Sequence, residues 1–300
     1  MTARNDGKAV VPRRPADSQF VSDAIRQQQA RLAAVAGRVA ETRVPDVHRA
    51  RVAARRLRSL LKTFGPLLDS RWCRRYRSDL RRFARTLADV READVTSELL
   101  LGLAQSAAGM EATGLRPLSL AMERRRNEAR GDLLRHLAEP GWRALTEALA
   151  ARVGESPPWA RDDVGIDELL KLEERAFGKA MRRIRRHPED AAALHELRLK
   201  LKHCRYALEA VAPVKPSAAA RLERSLQAVQ ESLGQHRDGA VALLWVTKND
   251  AKLGRRVVER LAKLLEAREK KLYAESMQRC DSLLPAYAHW RAAISPLMKT

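Results

Sequence analysis

The chain has 300 residues, enough for one large core or two average ones, and its apolar residues are mainly Ala, Leu and Val with few aromatics. That composition favours helices and excludes a β-sandwich or barrel. Basic residues exceed acidic ones by 21 charges, and only 13 of the 58 bases are lysine, so the expected partner is a polyanion whose phosphate oxygens match the planar guanidinium fork.

Residues 1–17 hold Arg4, Lys8, Arg13 and Arg14 but no continuous apolar segment of the kind a secretory signal needs, and read as a flexible tail. Beyond them apolar residues recur at helical spacing. One helix is expected over 17–43, stopped by Val44-Pro45; a second over 46–64, stopped by Gly65-Pro66; and a third over 70–88, capped by Ser70. A fourth covers 91–108. After a loop at 109–114, Arg116-Pro117 opens a fifth that runs to Ala138, and Pro140-Gly141 separates it from a sixth over 142–152. The strongest interruption is GESPPWARDDVG at 154–165, read as a linker between a first helical bundle (18–153) and a second (166–281). The second bundle is expected to contain helices over 166–186, 190–211 and 217–233, a break at Gly234, a helix over 237–253, a break at Gly254 and a helix over 255–280. Residues 282–300 are left as a C-terminal segment. The expected architecture is all-α, with long helices in two four-helix-bundle-like halves related by internal duplication and pseudo-twofold symmetry.

Cys73, Cys204 and Cys280 are too few and too scattered for a disulfide framework or a CxxC metal site, which suits a reducing cytoplasm. The longest apolar stretch, 240–246, is far short of the roughly 20 residues of a membrane span. No membrane partner is expected.

The repeat carries the candidate site. His48, Arg51, Arg55 and Arg58 stand at i, i+3, i+7 and i+10, and His195, Arg198, Lys202 and Arg205 repeat that spacing 147 residues later. Arg74 and Arg77 map onto Arg221 and Arg224 at the same offset, and Arg91-Glu92 maps onto Arg237-Asp238 at one residue less. On a helix the first comb falls within an arc of about 80° and spans roughly 15 Å. Val47, Ala50, Ala54 and Leu61 lie beside it, and Leu194, Leu197, Leu201 and Leu208 lie beside the second. The cations therefore border the buried stripe, as the wall of a groove would. Arg74, Arg77, Arg81 and Arg85 form a further comb, of which Arg81 and Arg85 have no counterpart in the second half. None of these combs contains an acid, unlike a solubility face of paired charges. Tyr206 reads as the edge of the core.

At these residues the sequence resembles the CHAD family, the conserved histidine α-helical domain. The resemblance rests on HRARVAARRLRSLLKTFGPLL (48–68), LADVREADV (87–95), LHELRLKLKHCRYALEAV (194–211) and LQAVQESLGQHRDGAV (226–241). It implies two four-helix bundles with a basic surface between them that binds inorganic polyphosphate and recruits the protein to polyphosphate granules. His48, Arg51, Arg55, Arg58 and Arg91 match the family's first motif, and His195, Arg198, Lys202, Arg205 and Tyr206 its second. Glu92 stands where Asp is more usual and Gly239-Ala240 follows Asp238; both places look like turns. The ExExK motif of an attached triphosphate-tunnel domain is absent from the sequence.

The expectation is therefore a cytoplasmic, non-enzymatic polyphosphate-binding module that uses His48, Arg51, Arg55, Arg58, Arg74, Arg77, Arg81, Arg91, His195, Arg198, Lys202, Arg205, Arg221, Arg224 and Arg237, with no cofactor and no metal. Both histidines should resist protonation until the anion arrives. Non-specific nucleic-acid binding is the alternative, although the combs interleave no stacking aromatics. A polyphosphate- or nucleotide-processing enzyme is a third reading: no GxxxxGK[ST] loop, GxSxG or HExxH is present, and Asp89, Glu92 and Asp94 form the one carboxylate group beside the combs.

Overall fold

Proline, aspartate and glycine set most of the helix boundaries in the computed structural model, which describes residues 18–41, 43–106, 112–161 and 164–298. The helices are α1 (Ser18–Ala36), α2 (Val44–Thr63), α3 (Ser70–Thr86), α4 (Ala88–Ser106), α5 (Ala112–Ala138), α6 (Pro140–Ala150), α7 (Ile166–Arg186), α8 (Ala191–Val211), α9 (Pro216–Lys248), α10 (Asp250–Leu253) and α11 (Arg255–Ile294), with short 3-10 turns between some of them. The protein is all-α, and an isolated bridge between Leu68 and Trp159 is the extent of β pairing among the described residues. No helix there is long and apolar enough to cross a membrane. The tail expected at 1–17 lies outside the described residues.

Pro45, Pro140 and Pro216 each occupy the first turn of their helix, where a missing N–H costs nothing. The cap of α3 is Asp69 and not Ser70: its carboxylate accepts the Trp72 amide at 2.7 Å. Asp190 likewise caps α8 by accepting the Ala192 amide at 2.8 Å. Gly254 has φ of 82°, the left-handed region that admits glycine, and it makes the sharp turn between α10 and α11.

Several boundaries differ from the sequence expectation. α5 starts at Ala112, so part of the expected 109–114 loop is helical and Pro117 sits inside the helix. Gly234 does not break α9, because Leu226, Val229, Leu233, Ala242 and Val246 bury one side of the helix on both flanks of the glycine. Packing against α11 thereby outweighs the weak propensity of one residue. At Gly239 the two helices come so close that a Cβ would stand 3.2 Å from the Glu269 side chain. The turns expected at Arg91-Glu92 and Asp238-Gly239 are absent: the first lies in α4 and the second in the middle of α9. The last helix passes Cys280 and Pro285 and ends at Ile294, since Leu283, Tyr287, Trp290 and Ile294 continue its buried stripe. Arg291 fixes that end to α7 through Glu174 at 2.7 Å and Asp167 at 3.0 Å.

α2 and α8 lie side by side at the centre, and α1 packs on both. One core cluster runs through α1, α2, α3, α6, α7, α8, the first part of α9 and the end of α11. A smaller one joins Leu100, Leu118 and Met122 to Val246, Leu253 and Leu261, so α4 and α5 pack on the far ends of α9 and α11. The 154–161 stretch is docked back on the chain: Asp69 donates its amide to Pro158 at 2.8 Å, and Ala160 donates to Leu67 at 3.0 Å.

Candidate functional site

Contact between α2 and α8 brings the two combs to one place. Leu57 and Leu61 on α2 and Leu197, Leu201 and Leu208 on α8 are fully buried in the shared core. The neighbouring cationic positions are therefore held at its edge. α4 adds Arg91 and α9 adds Arg237. Arg51, Arg91, Arg198 and Lys202 are partly buried and form the floor, while His48, Arg55, His195 and Arg237 are exposed around it.

The electrostatics show how tightly these groups are gathered. Burial, then the charges of Arg55, Arg237 and Arg91, brings Arg51 down to about 10. Arg198 falls to about 10 through burial and the charges of Arg237 and Arg55. Lys202 falls furthest, to about 7, from burial together with Arg55, Arg198 and Arg237. His48 is lowered by burial and then by Arg91, Arg55 and Arg51. His195 is lowered by burial and then by Arg198, Lys202 and Arg237. Arg51, Arg55, Arg91, Arg198, Lys202 and Arg237 each raise the electrostatic cost of a neighbour's charge.

Hydrogen bonds orient the cluster. Arg51 Nη1 donates to the Ala84 carbonyl at 2.9 Å, and Arg55 Nε donates to the Tyr206 hydroxyl at 3.2 Å. Tyr206 is buried core edge, as expected, and Arg56 lies 5.3 Å from its ring centroid. A cleft of about 90 Å³ opens between Arg51, Glu92, Thr96, Arg237, Asp238 and Val241.

A second basic group continues the row along α2. Arg58 is lowered by burial and by Arg81 and Arg77 of α3. Lys62 is lowered by burial and Lys200, with Glu173 opposing and Arg77 adding to the shift. From His48 to Lys62 the row is about 21 Å long. Lys62 was legible, being four residues beyond Arg58 on the same face. Lys200 was not, because it stands off the comb on α8 and reaches Lys62 only through the contact of α8 with α2.

The remaining expected residues are placed elsewhere. Arg205 is buried and bound to Glu209 at 2.9 Å and to the Gln227 side-chain oxygen at 3.3 Å. Glu209 also binds Arg56 at 3.1 Å, so this network ties α2 to α8 beneath the surface. Arg74 is exposed beside Cys73 at the start of α3. Arg221 and Arg224 are exposed on α9, and Arg224 is about 20 Å along that helix from Arg237.

The sequence matches the CHAD domain model over residues 21–247. The chain belongs to the CHAD family. Its fold is also similar to two solved structures, PptA from Streptomyces chartreusis and the CHAD domain from the plant Ricinus communis. PptA is 21% identical with a TM-score of 0.65, over 92% of this chain and 99% of that one. The Ricinus domain is 22% identical with a TM-score of 0.65, over 92% of this chain and 96% of its own. No curated protein matches the sequence.

In this CHAD chain Glu92, Asp94 and Asp238 are answered by arginines, and Asp89 is exposed on α4. Glu92 binds Arg125 at 3.2 Å and approaches Arg237 at 3.7 Å, which also lies 3.7 Å from Asp238. Asp94 is buried against Arg130 at 3.2 Å, and burial pushes its carboxyl up despite that partner. Arg125, missed in the sequence because it lies outside the repeat, also packs 5.6 Å from the Trp245 ring centroid. Among the described residues no group of three or more His, Cys, Asp or Glu is placed to hold a metal ion.

Proposed function

We propose that this CHAD protein binds inorganic polyphosphate along the basic trough between α2 and α8, and that it associates with polyphosphate granules in the cytoplasm. The observation that carries the reading is the convergence of His48, Arg51, Arg55, Arg91, His195, Arg198, Lys202 and Arg237: burial and the charges of Arg55, Arg91 and Arg237, with those of their neighbours, lower His48, Arg51, His195, Arg198 and Lys202. A flexible chain of repeating anions has no bases to read, and spaced guanidinium forks meet it with charge-assisted hydrogen bonds. Arg58, Arg77, Arg81, Lys62 and Lys200 extend the same surface for a long chain. Arg74, Arg221 and Arg224 add longer-range attraction. Arg205 supports the trough from below.

The reading is of a binder and not a catalyst, since Glu92, Asp94 and Asp238 beside the cluster are engaged by Arg125, Arg130 and Arg237. The test is a competition titration at near-physiological salt, with labelled long-chain polyphosphate displaced by unlabelled polyphosphate, single-stranded DNA or duplex DNA. Polyphosphate is expected to win by orders of magnitude, and a variant with Ala at 51, 55, 198 and 202 should lose that preference while staying helical. Wild-type affinity should also fall steeply with salt as phosphate contacts release counterions. Equal competition by DNA, with the variant binding as the wild type does, overturns the site and the ligand together.

A further inference from the structure

Lys202 is the one lysine in a central cluster otherwise built of arginines and histidines. Arg198 stands one turn before it on α8, Arg55 faces it from α2, and Arg237 faces it from α9. Asp238, also on α9, is the acid that acts on it, and no described carboxylate comes within ion-pairing distance of its amine. Lys202 is partly buried in the floor of the trough. Burial, and then these cations, bring its ammonium down to about 7, and the bond from Arg55 to Tyr206, one turn beyond Lys202, holds the α2 guanidinium on this stretch of α8. A desolvated amine next to other cations is the recognised route to a nucleophilic lysine.

The surroundings also supply what an anionic acyl donor needs. Guanidinium groups from α2, α8 and α9 are the donors that a phosphate needs, and an acyl group carried on that phosphate would share the cluster with the amine. We propose that Lys202 is an acylation site that takes its acyl group from an acyl phosphate docked on Arg55, Arg198 and Arg237. The proposal rests on the reading of the trough as a phosphoanion site. In the step, the Lys202 Nζ lone pair attacks the acyl carbonyl carbon, and the bond from that carbon to the bridging oxygen breaks. Inorganic phosphate leaves with that electron pair and takes up the proton shed by the nitrogen. The products are an Nε-acyl lysine and inorganic phosphate.

Acylation replaces a titrating amine by a neutral amide in the middle of the trough. The modified protein should hold polyphosphate less tightly, and bound polyphosphate should shield the lysine. Acyl-phosphate levels would thereby set how much of the protein can occupy the polyanion.

The experiment treats the full chain with acetyl phosphate at pH 7.5 and follows each lysine by peptide mass spectrometry. Lys202 is expected to react about tenfold faster than the exposed Lys252, Lys263 and Lys270, the advantage of a docked donor. N-acetylimidazole, which brings no phosphate, should show a smaller preference. Arg198→Lys keeps the charge but removes the fork, and should slow Lys202 while circular dichroism reports an unchanged fold. Long-chain polyphosphate should protect Lys202. Reaction no faster than at the exposed lysines, or a preference equal for both reagents, overturns the proposal. Fast acetylation with no polyphosphate binding or protection instead overturns the polyphosphate reading and leaves acylation standing.

Discussion

His48, His195 and Lys202 bind protons less tightly than the free side chains because burial and neighbouring arginines oppose their charge. A bound polyanion reverses the second cause, so binding takes up protons. For Lys202 the interval lies between its value of about 7 in the free protein and the ordinary 10.5, and affinity should climb as pH falls across it. A further rise should follow as pH drops through 6.5 and the histidines, lowered from that value, charge in the complex before they charge in the free protein. Isothermal titration over these intervals checks both steps, and a flat profile contradicts them. The sequence predicted the histidine part. It could not single out Lys202, whose shift depends on Arg55 and Arg237, residues brought to it from other helices. Arg205 shows the converse: it shares the comb spacing, yet Glu209 one turn later holds it in the interior. Arg205→Ala should cost about 1–3 kcal/mol in denaturant unfolding by leaving the partly buried Glu209 short of a partner, whereas Arg221→Ala should change stability by less than about 0.5 kcal/mol.

At the scale of the helix, local signals located starts better than stops. Pro45, Pro140 and Pro216 were read as breaks between helices and lie instead in first turns, so those starts were placed one or two residues late, while the 166–186 helix was legible at both ends. Gly234 misled because it is a local breaker inside a stripe that tertiary packing continues. Spacing at Leu283, Tyr287, Trp290 and Ile294 continues the stripe of α11 past the expected end at 280. Gly234 provides a direct check. Its conformation is helical and a Cβ there meets nothing within 4 Å. Gly234→Ala should therefore stabilise the protein by about 0.5–1 kcal/mol, the gain of replacing glycine inside a helix. A loss measured by thermal or urea unfolding contradicts a continuous α9.

At the scale of the molecule, the sequence showed an all-α chain with two related combs but not how its halves share an interior. The core crosses the 154–165 stretch, and the last turns of α11 complete it. A chain ended after residue 280 loses the burial of Leu283, Tyr287, Trp290 and Ile294. At about 1.5–3 kcal/mol each, these side chains together approach the roughly 5–15 kcal/mol that separates a typical folded domain from its unfolded state. Such a chain should show no cooperative melting transition by circular dichroism, and a sharp one would contradict the shared core.

The bond between Arg55 and Tyr206 joins residues 151 apart in sequence, and that separation has a consequence during synthesis. The ribosome releases α2 early, with its arginines but without the second wall that would turn them into a trough. Arg198, Lys202 and Arg237 emerge much later, and the core that sets them opposite α2 closes only with α11. A nascent chain is surrounded by ribosomal RNA, the most abundant polyanion near it. The second wall of the trough is supplied only once α8 and α9 have emerged, so the order of the helices limits what the early chain offers to that polyanion.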